Sequence, residues 1–150
     1  METSVTVDRP VEAVWKLIAD YAKYPMWAGC LESEQTSVGQ FGVGATWREK
    51  RSRMPKVMDF RVTECEPSLK FAFEIISGPI RGSMMTYNLE SAQGKTKVTE
   101  KDDFNLSGML KLLGPFVDRP ENWEKEATDR LLSLKHVMES ETRSEPGARA

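Results

Sequence analysis

Trp123-Glu124-Lys125-Glu126-Ala127-Thr128-Asp129-Arg130-Leu131-Leu132-Ser133-Leu134-Lys135-His136-Val137-Met138 is the stretch on which the fold turns. Trp123, Ala127, Leu131, Leu134 and Met138 follow helical spacing, so they share one side of an α-helix and form a continuous apolar stripe. The spacing predicts a helix from Asp118 to Ser140, opened by Asp118-Arg119-Pro120-Glu121, where Glu follows Asp by three residues as in a capping arrangement. A helix apolar on one side only needs a surface to cover that side, and the preceding sequence supplies one.

That surface is read from alternation. In Val57 to Glu66, Met58, Phe60 and Val62 fall on one face and Asp59, Arg61 and Thr63 on the other, the pattern of a half-buried strand. Phe71, Phe73 and Ile75 then alternate with Lys70, Ala72 and Glu74, and Ser83, Met85, Tyr87 and Leu89 share a face. Gln93-Gly94-Lys95 is a hairpin connection into a last strand, Thr96 to Phe104. Two earlier strands are expected over Leu31 to Val38 and Thr46 to Arg53, separated by Gly39, Gly42 and Gly44. Ser4 to Val7 reads as a first strand. An amphipathic helix follows over Asp8 to Ala22, with Asp8 as its cap and Val11, Val14, Trp15, Ile18 and Ala22 on its apolar face. Trp15 and Ile18 are expected to be buried. Pro25 disfavours helical geometry at Tyr24 and is expected to end this region within a short turn.

The predicted class is α+β, a curved antiparallel sheet wrapped around a long C-terminal helix with an internal cavity, because a single sheet of this length must close on itself or be covered. Residues 1–140 form one domain in this reading and 141–150 a polar, flexible tail. Leu106 to Val117, apolar and interrupted by Gly108 and Gly114, admits three roles: a packed crossing from sheet edge to helix, a pocket lid, or a membrane-touching loop.

Composition narrows the function. In 150 residues, 21 Lys and Arg oppose 23 Asp and Glu, and the net charge of −2 offers no general attraction to nucleic acid or an anionic membrane. No secretory leader and no continuous membrane-spanning run is visible, so a cytoplasmic location is expected. Cys30 and Cys65 form no CxxC motif or Cys/His cluster and are read as buried small apolar residues; no metal site or cofactor is predicted. The run Arg48-Glu49-Lys50-Arg51-Ser52-Arg53, with Lys56, is read as a solvated strand face, since only Trp47 offers a stacking platform beside it.

At this point the chain resembles the helix-grip superfamily of START and polyketide cyclase/dehydrase (SRPBCC) proteins, which includes the birch pollen allergen type. The resemblance rests on Val11-Glu12-Ala13-Val14-Trp15 with Asp20 and Tyr24-Pro25-Met26-Trp27, on Gly42-Val43-Gly44-Ala45, and on Leu131-Leu132-Ser133-Leu134-Lys135-His136-Val137-Met138-Glu139. It covers nearly the whole chain, and its motifs concern packing and turns. It implies a cavity between sheet and long helix that takes lipids, sterols, quinones or polyketide-like aromatics.

The facing positions compatible with such a cavity are Phe60, Val62, Phe71, Phe73, Ile75, Met85, Tyr87 and Leu89 on the strands, with Trp123 and Leu131 on the helix. The competing reading is that these side chains meet and fill the interior. Glu100 and Asp102 share parity with Val98; they are placed at a solvated sheet edge, with an inward position, where burial would make either a general acid or base, as the alternative. Tyr87 is a hydrogen-bond donor to a ligand or to backbone, and His136, off the apolar stripe, is placed on the surface. The preferred function is binding or transport of a hydrophobic small molecule. An aromatic polyketide cyclase or dehydratase, for which the catalytic candidates are Glu100, Asp102 and Tyr87, and a protein-interaction module are the alternatives. Oligomeric state is left open.

Overall fold

A computed structural model describes residues 1–53, 55–105 and 120–144. The chain runs β1 (Glu2–Val7), α1 (Val11–Ile18), a 3₁₀ turn (Tyr21–Lys23), α2 (Tyr24–Trp27), β2 (Glu32–Gln35), β3 (Thr46–Lys50), β4 (Val57–Glu66), β5 (Lys70–Ile75), β6 (Met84–Ala92), β7 (Lys95–Asp103) and α3 (Pro120–Ser144). The strands form one curved antiparallel sheet in the order β1-β7-β6-β5-β4-β3-β2. Strands β2 to β7 are thus a meander, and β1 crosses to lie beside β7, with Glu2 opposite Lys101 and Val7 opposite Thr96. This is the predicted helix-grip α+β architecture.

Period-two burial places the inner face. Met58, Phe60 and Val62 of β4, Met85, Tyr87 and Leu89 of β6, and Val98 of β7 are all buried. Between Val62 and Glu64 the pairing of β4 with β5 shifts, so the regular alternation ends there. Helix α3 packs on β1, β7 and α2 and buries Ala127, Leu131, Leu134 and Met138. The hairpin between β6 and β7 turns on Gln93 (φ 55°) and Gly94 (φ 78°), the pair of left-handed residues that matches the twist of two adjoining strands.

Several boundaries differ from those predicted. Helix α1 begins at Val11 after an extended Pro10 that makes no side-chain cap, and Asp8 instead donates its backbone N–H to Glu139 Oε1 of α3 at 3.1 Å. Ile18 is buried as expected, whereas Trp15 is only half-buried against the rim of the core and Ala22 is exposed. Helix α1 stops at Ile18, and Asp20 caps the next turn by accepting from the Ala22 N–H at 3.1 Å. Pro25 does not end the helical region: Tyr24 is helical (φ −59°, ψ −33°), and α2 begins there. Proline is tolerated in a first turn, and the Tyr24 hydroxyl, which donates to the Ile18 carbonyl, anchors its residue against the local preference. Strands β2 and β3 are shorter than predicted, so Arg51 to Arg53 lie beyond the sheet, and α3 continues to Ser144 rather than stopping at Ser140. The 106–117 segment and the cap at 118–119 fall outside the described residues.

Candidate functional site

The interior has a filled end and a hollow end. Val62, Phe71, Leu89 and Leu131 belong to the packed core, where Phe71 meets the Trp15 ring edge-on at 6.1 Å, and none of the four lines a cavity. At the other end a cavity of about 150 Å³ lies between the sheet, α2 and α3. Its sheet wall is Glu49 of β3, Met58 and Phe60 of β4, Phe73 and Ile75 of β5, and Met85 and Tyr87 of β6. Tyr24, Trp27 and Ala28 close it from the α2 side, and Trp123, Glu126 and Arg130 of α3 close it from the helix side. The aromatic rings are mutually braced: Trp27 stands edge-on to Tyr87 at 5.8 Å, and Phe60 stacks on Trp47 at 4.9 Å while meeting Phe73 edge-on at 5.3 Å.

Of the ten residues predicted to contact a ligand, Phe60, Phe73, Ile75, Met85, Tyr87 and Trp123 therefore stand in the cavity wall. A polar groove of about 330 Å³ adjoins the cavity behind α2, and the two share Trp27, Ala28, Arg51, Glu126 and Arg130.

Glu100 and Asp102 are not at a solvated edge. Strand β7 lies between β1 and β6, and its inward parity buries both carboxyls, leaving the residues 1 % and 4 % exposed. The compensating charge comes from α3: Arg130 Nε donates to Glu100 Oε1 at 3.0 Å and its Nη2 to Oε2, a bidentate fork, with Asp102 Oδ2 farther off at 3.9 Å. Burial alone would raise the Glu100 carboxyl, but the Arg130 charge and hydrogen bonds outweigh it and hold Glu100 below its ordinary value. Asp102 goes the other way. Burial, with the bond to Glu100 and its negative charge, pushes its carboxyl up to about 9, and as a carboxylate neither of its oxygens finds a donor. The opposite displacements favour one proton on Asp102 and one negative charge on Glu100, and burial with the nearby Glu100 charge pushes the Tyr87 hydroxyl well up. Neither carboxyl lines the cavity; Tyr87 and Arg130 stand in front of them.

A third buried acid lies in the run that reads as a solvated face. Glu49 shares the parity of Trp47, is buried, and accepts from Trp47 Nε1 at 3.0 Å. Burial raises its carboxyl despite that bond and the nearby Arg51 and Arg130 charges. Arg51, half-buried, pairs with Glu126 of α3 at 3.3 Å, and Arg53 reaches the same carboxylate at 3.6 Å, so the β3–β4 connection is stapled to the helix beside the cavity. Sequence reasoning passed over Glu49, Arg51, Trp27 and Arg130. Two signals were available: Glu49 and Arg51 alternate with Trp47 on one strand face, and Arg130 stands three residues after Ala127 and seven after Trp123, on the stripe side of the helix. His136 is exposed. Among the described residues no group of three or more His, Cys, Asp and Glu side chains is placed to hold a metal ion.

The cysteines separate in the same way. Cys30 is buried, and burial together with the charge of Glu49 pushes its thiol up to about 12; Cys65 is only half-buried, against expectation, because it lies beyond the irregularity in β4 where alternation no longer points inward. A water-soluble disulfide reagent at pH 8 is expected to label Cys65 in the folded protein and leave Cys30 unmodified until denaturant is added, since thiolate is the reactive form. Equal labelling rates would contradict this placement.

Residues 1–139 match the family described as polyketide cyclase / dehydrase and lipid transport. The chain belongs to that family. Solved structures share its fold at low identity. A Nitrosospira multiformis protein is 16 % identical over 95 % of this chain and 98 % of its own (TM-score 0.73). XoxI from Bacillus cereus is 15 % identical over 92 % and 94 % (TM-score 0.70). Ara h 8.0201 is 14 % identical over 93 % and 97 % (TM-score 0.69). No curated protein matches the chain. Among the described residues no helix is long and apolar enough to cross a membrane.

Proposed function

We propose that this family member binds a hydrophobic small molecule in the cavity between β4–β6 and α3. The observation that carries this reading is the hollow itself: protein interiors are close-packed, and an unfilled volume of about 150 Å³ walled by Phe60, Phe73, Met85 and Trp27 leaves apolar surface without partner atoms. A volume of that size suits one ring rather than a drug-sized ligand, which occupies roughly 300–1,000 Å³. A longer ligand such as a lipid, quinone or polyketide extends into the adjoining groove past Arg51 and Glu126. Two free cysteines fit a reducing, cytoplasmic setting for this task.

The catalytic alternative, an aromatic cyclase or dehydratase, has less support. Two carboxyls driven to opposite protonation states form a common acid–base pattern, but Glu100 and Asp102 sit behind Tyr87 and Arg130 rather than in the wall. An environment-sensitive apolar dye is expected to bind saturably at one site per chain. Phe73→Ala or Met85→Ala should change its Kd by about fivefold or more, and Lys97→Ala, on the exposed face of β7, should leave it unchanged. Equal responses from all three variants would remove the cavity from the reading.

A further inference from the structure

One polar atom at the cavity is left without a partner. Trp27 is 2 % exposed and stands in the cavity wall, and its indole Nε1–H, buried, has no hydrogen-bond acceptor among the described residues. A buried donor in that state carries its full desolvation cost until an acceptor arrives, and indole can only donate. Tyr24, by contrast, spends its hydroxyl on the Ile18 carbonyl, and Trp47 spends its N–H on Glu49. Of the charged groups of the wall, both guanidiniums are already matched, and the buried Glu49 carboxyl, raised by desolvation, accepts from Trp47. Arg130 is forked onto Glu100, and Arg51 is paired with Glu126. The cavity therefore offers a ligand aromatic surface, one open N–H on Trp27 and no unmatched cation, with the Glu49 carboxyl as a further reason against an anion.

We propose that the cavity is specific for a neutral planar molecule bearing a carbonyl-type acceptor oxygen, an aryl ketone, quinone or lactone, whose oxygen accepts the hydrogen bond of Trp27 Nε1–H. This deepens the binding reading above and rests on it. An anionic ligand is disfavoured, because a carboxylate or phosphate would bring an unmatched charge into an apolar site whose two guanidiniums are already neutralised. A pure hydrocarbon fits the space but leaves the indole donor unpaired. Specificity of this kind comes from the polar group that is stranded when the wrong ligand binds.

The test compares acetophenone with α-methylstyrene, in which a CH₂ replaces the carbonyl oxygen, and with benzoate, each titrated by calorimetry into wild type and Trp27→Phe. Comparing ratios removes the different water affinities of the ligands and the space opened by the smaller ring. The ketone-to-hydrocarbon affinity ratio is expected to fall about tenfold in Trp27→Phe, with α-methylstyrene binding no more weakly than to wild type and benzoate weakest of the three in wild type. As a second measurement that needs no variant, the Trp27 indole Hε1 resonance of wild type should move downfield with acetophenone and not with α-methylstyrene. An unchanged ratio or an unmoved indole resonance, with both neutral ligands still bound, overturns this proposal and leaves the cavity-binding reading standing. Benzoate binding as tightly as acetophenone overturns the neutrality of the site, and failure of all three to bind overturns both readings.

Discussion

Arg130→Met is expected to lower unfolding free energy by about 3–5 kcal/mol, because it leaves Glu100 charged, buried and without the one cation paired with it among the described residues. The loss should come from the stranded carboxylate rather than from the missing contact. Arg130→Met combined with Glu100→Gln is therefore expected to recover most of it, since replacing a whole buried pair is far cheaper than breaking one. Urea unfolding followed by circular dichroism, with unchanged m-values, measures both terms of the cycle. A single-variant loss below about 1 kcal/mol, or a double variant as unstable as the single, would mean the fork is not what holds α3 on β7.

Asp102→Asn is expected to stabilise the protein at pH 7, on the order of 2 kcal/mol, and to change how stability follows pH. The sign comes from the direction of the displacement. Burial and Glu100 push the folded Asp102 carboxyl up to about 9 from an ordinary value near 3.8, so through that window the folded chain holds a proton that the unfolded chain has released. The contribution of this group is fully present below the unfolded value and is lost as pH rises toward the folded one. Each tenfold mismatch in protonation is worth about 1.4 kcal/mol. Asparagine keeps an N–H donor for Glu100 and carries no proton to lose. The variant should thus match wild type near pH 4 and exceed it increasingly toward pH 9. Glu100 acts in the opposite sense: Arg130 holds its carboxyl low, so its contribution is present above the ordinary value and fades in acid. A variant that parallels wild type at every pH would show that Asp102 is charged in the fold.

The fold was legible because its determinants are periodic. Alternation in Met58, Phe60 and Val62, the stripe through Ala127, Leu131, Leu134 and Met138, and the turn at Gln93-Gly94 each follow from local geometry and survive assembly. Half of the site was legible for the same reason, since Phe60, Phe73 and Met85 had only to face inward. The other half depends on partners remote in sequence. Glu100 reads as an exposed strand carboxylate until Arg130 of another element is laid over it, and Glu49 reads as part of a charged run until Trp47 turns its N–H toward it. Periodicity assigns a face but not what stands opposite, and so it could not say that Phe71 meets Trp15 while Phe73 borders a void. Trp27 was quoted for its packing, and nothing local to Tyr24-Pro25-Met26-Trp27 reveals that its N–H is left over.

The pairing of β1 with β7 has a consequence for how the protein is made. Glu2 must find Lys101, so β1 waits for β7 before the sheet is complete, and at translation rates of about 5–20 residues per second that wait lasts roughly 5–20 s. Such a non-local closure is the slow kind of step in folding. The nascent strand suits the delay. Glu2, Ser4 and Thr6 face outward, and Val7 is its one fully buried residue, so while unpaired it offers other chains a polar edge with little to aggregate around. The strands of the cavity wall, β4 to β6, meet their neighbours within one hairpin of being made, whereas the cover over their hollow end, Trp123, Glu126 and Arg130, arrives only with α3. For that interval the apolar wall is open, and a ligand present during synthesis meets the site before it is closed.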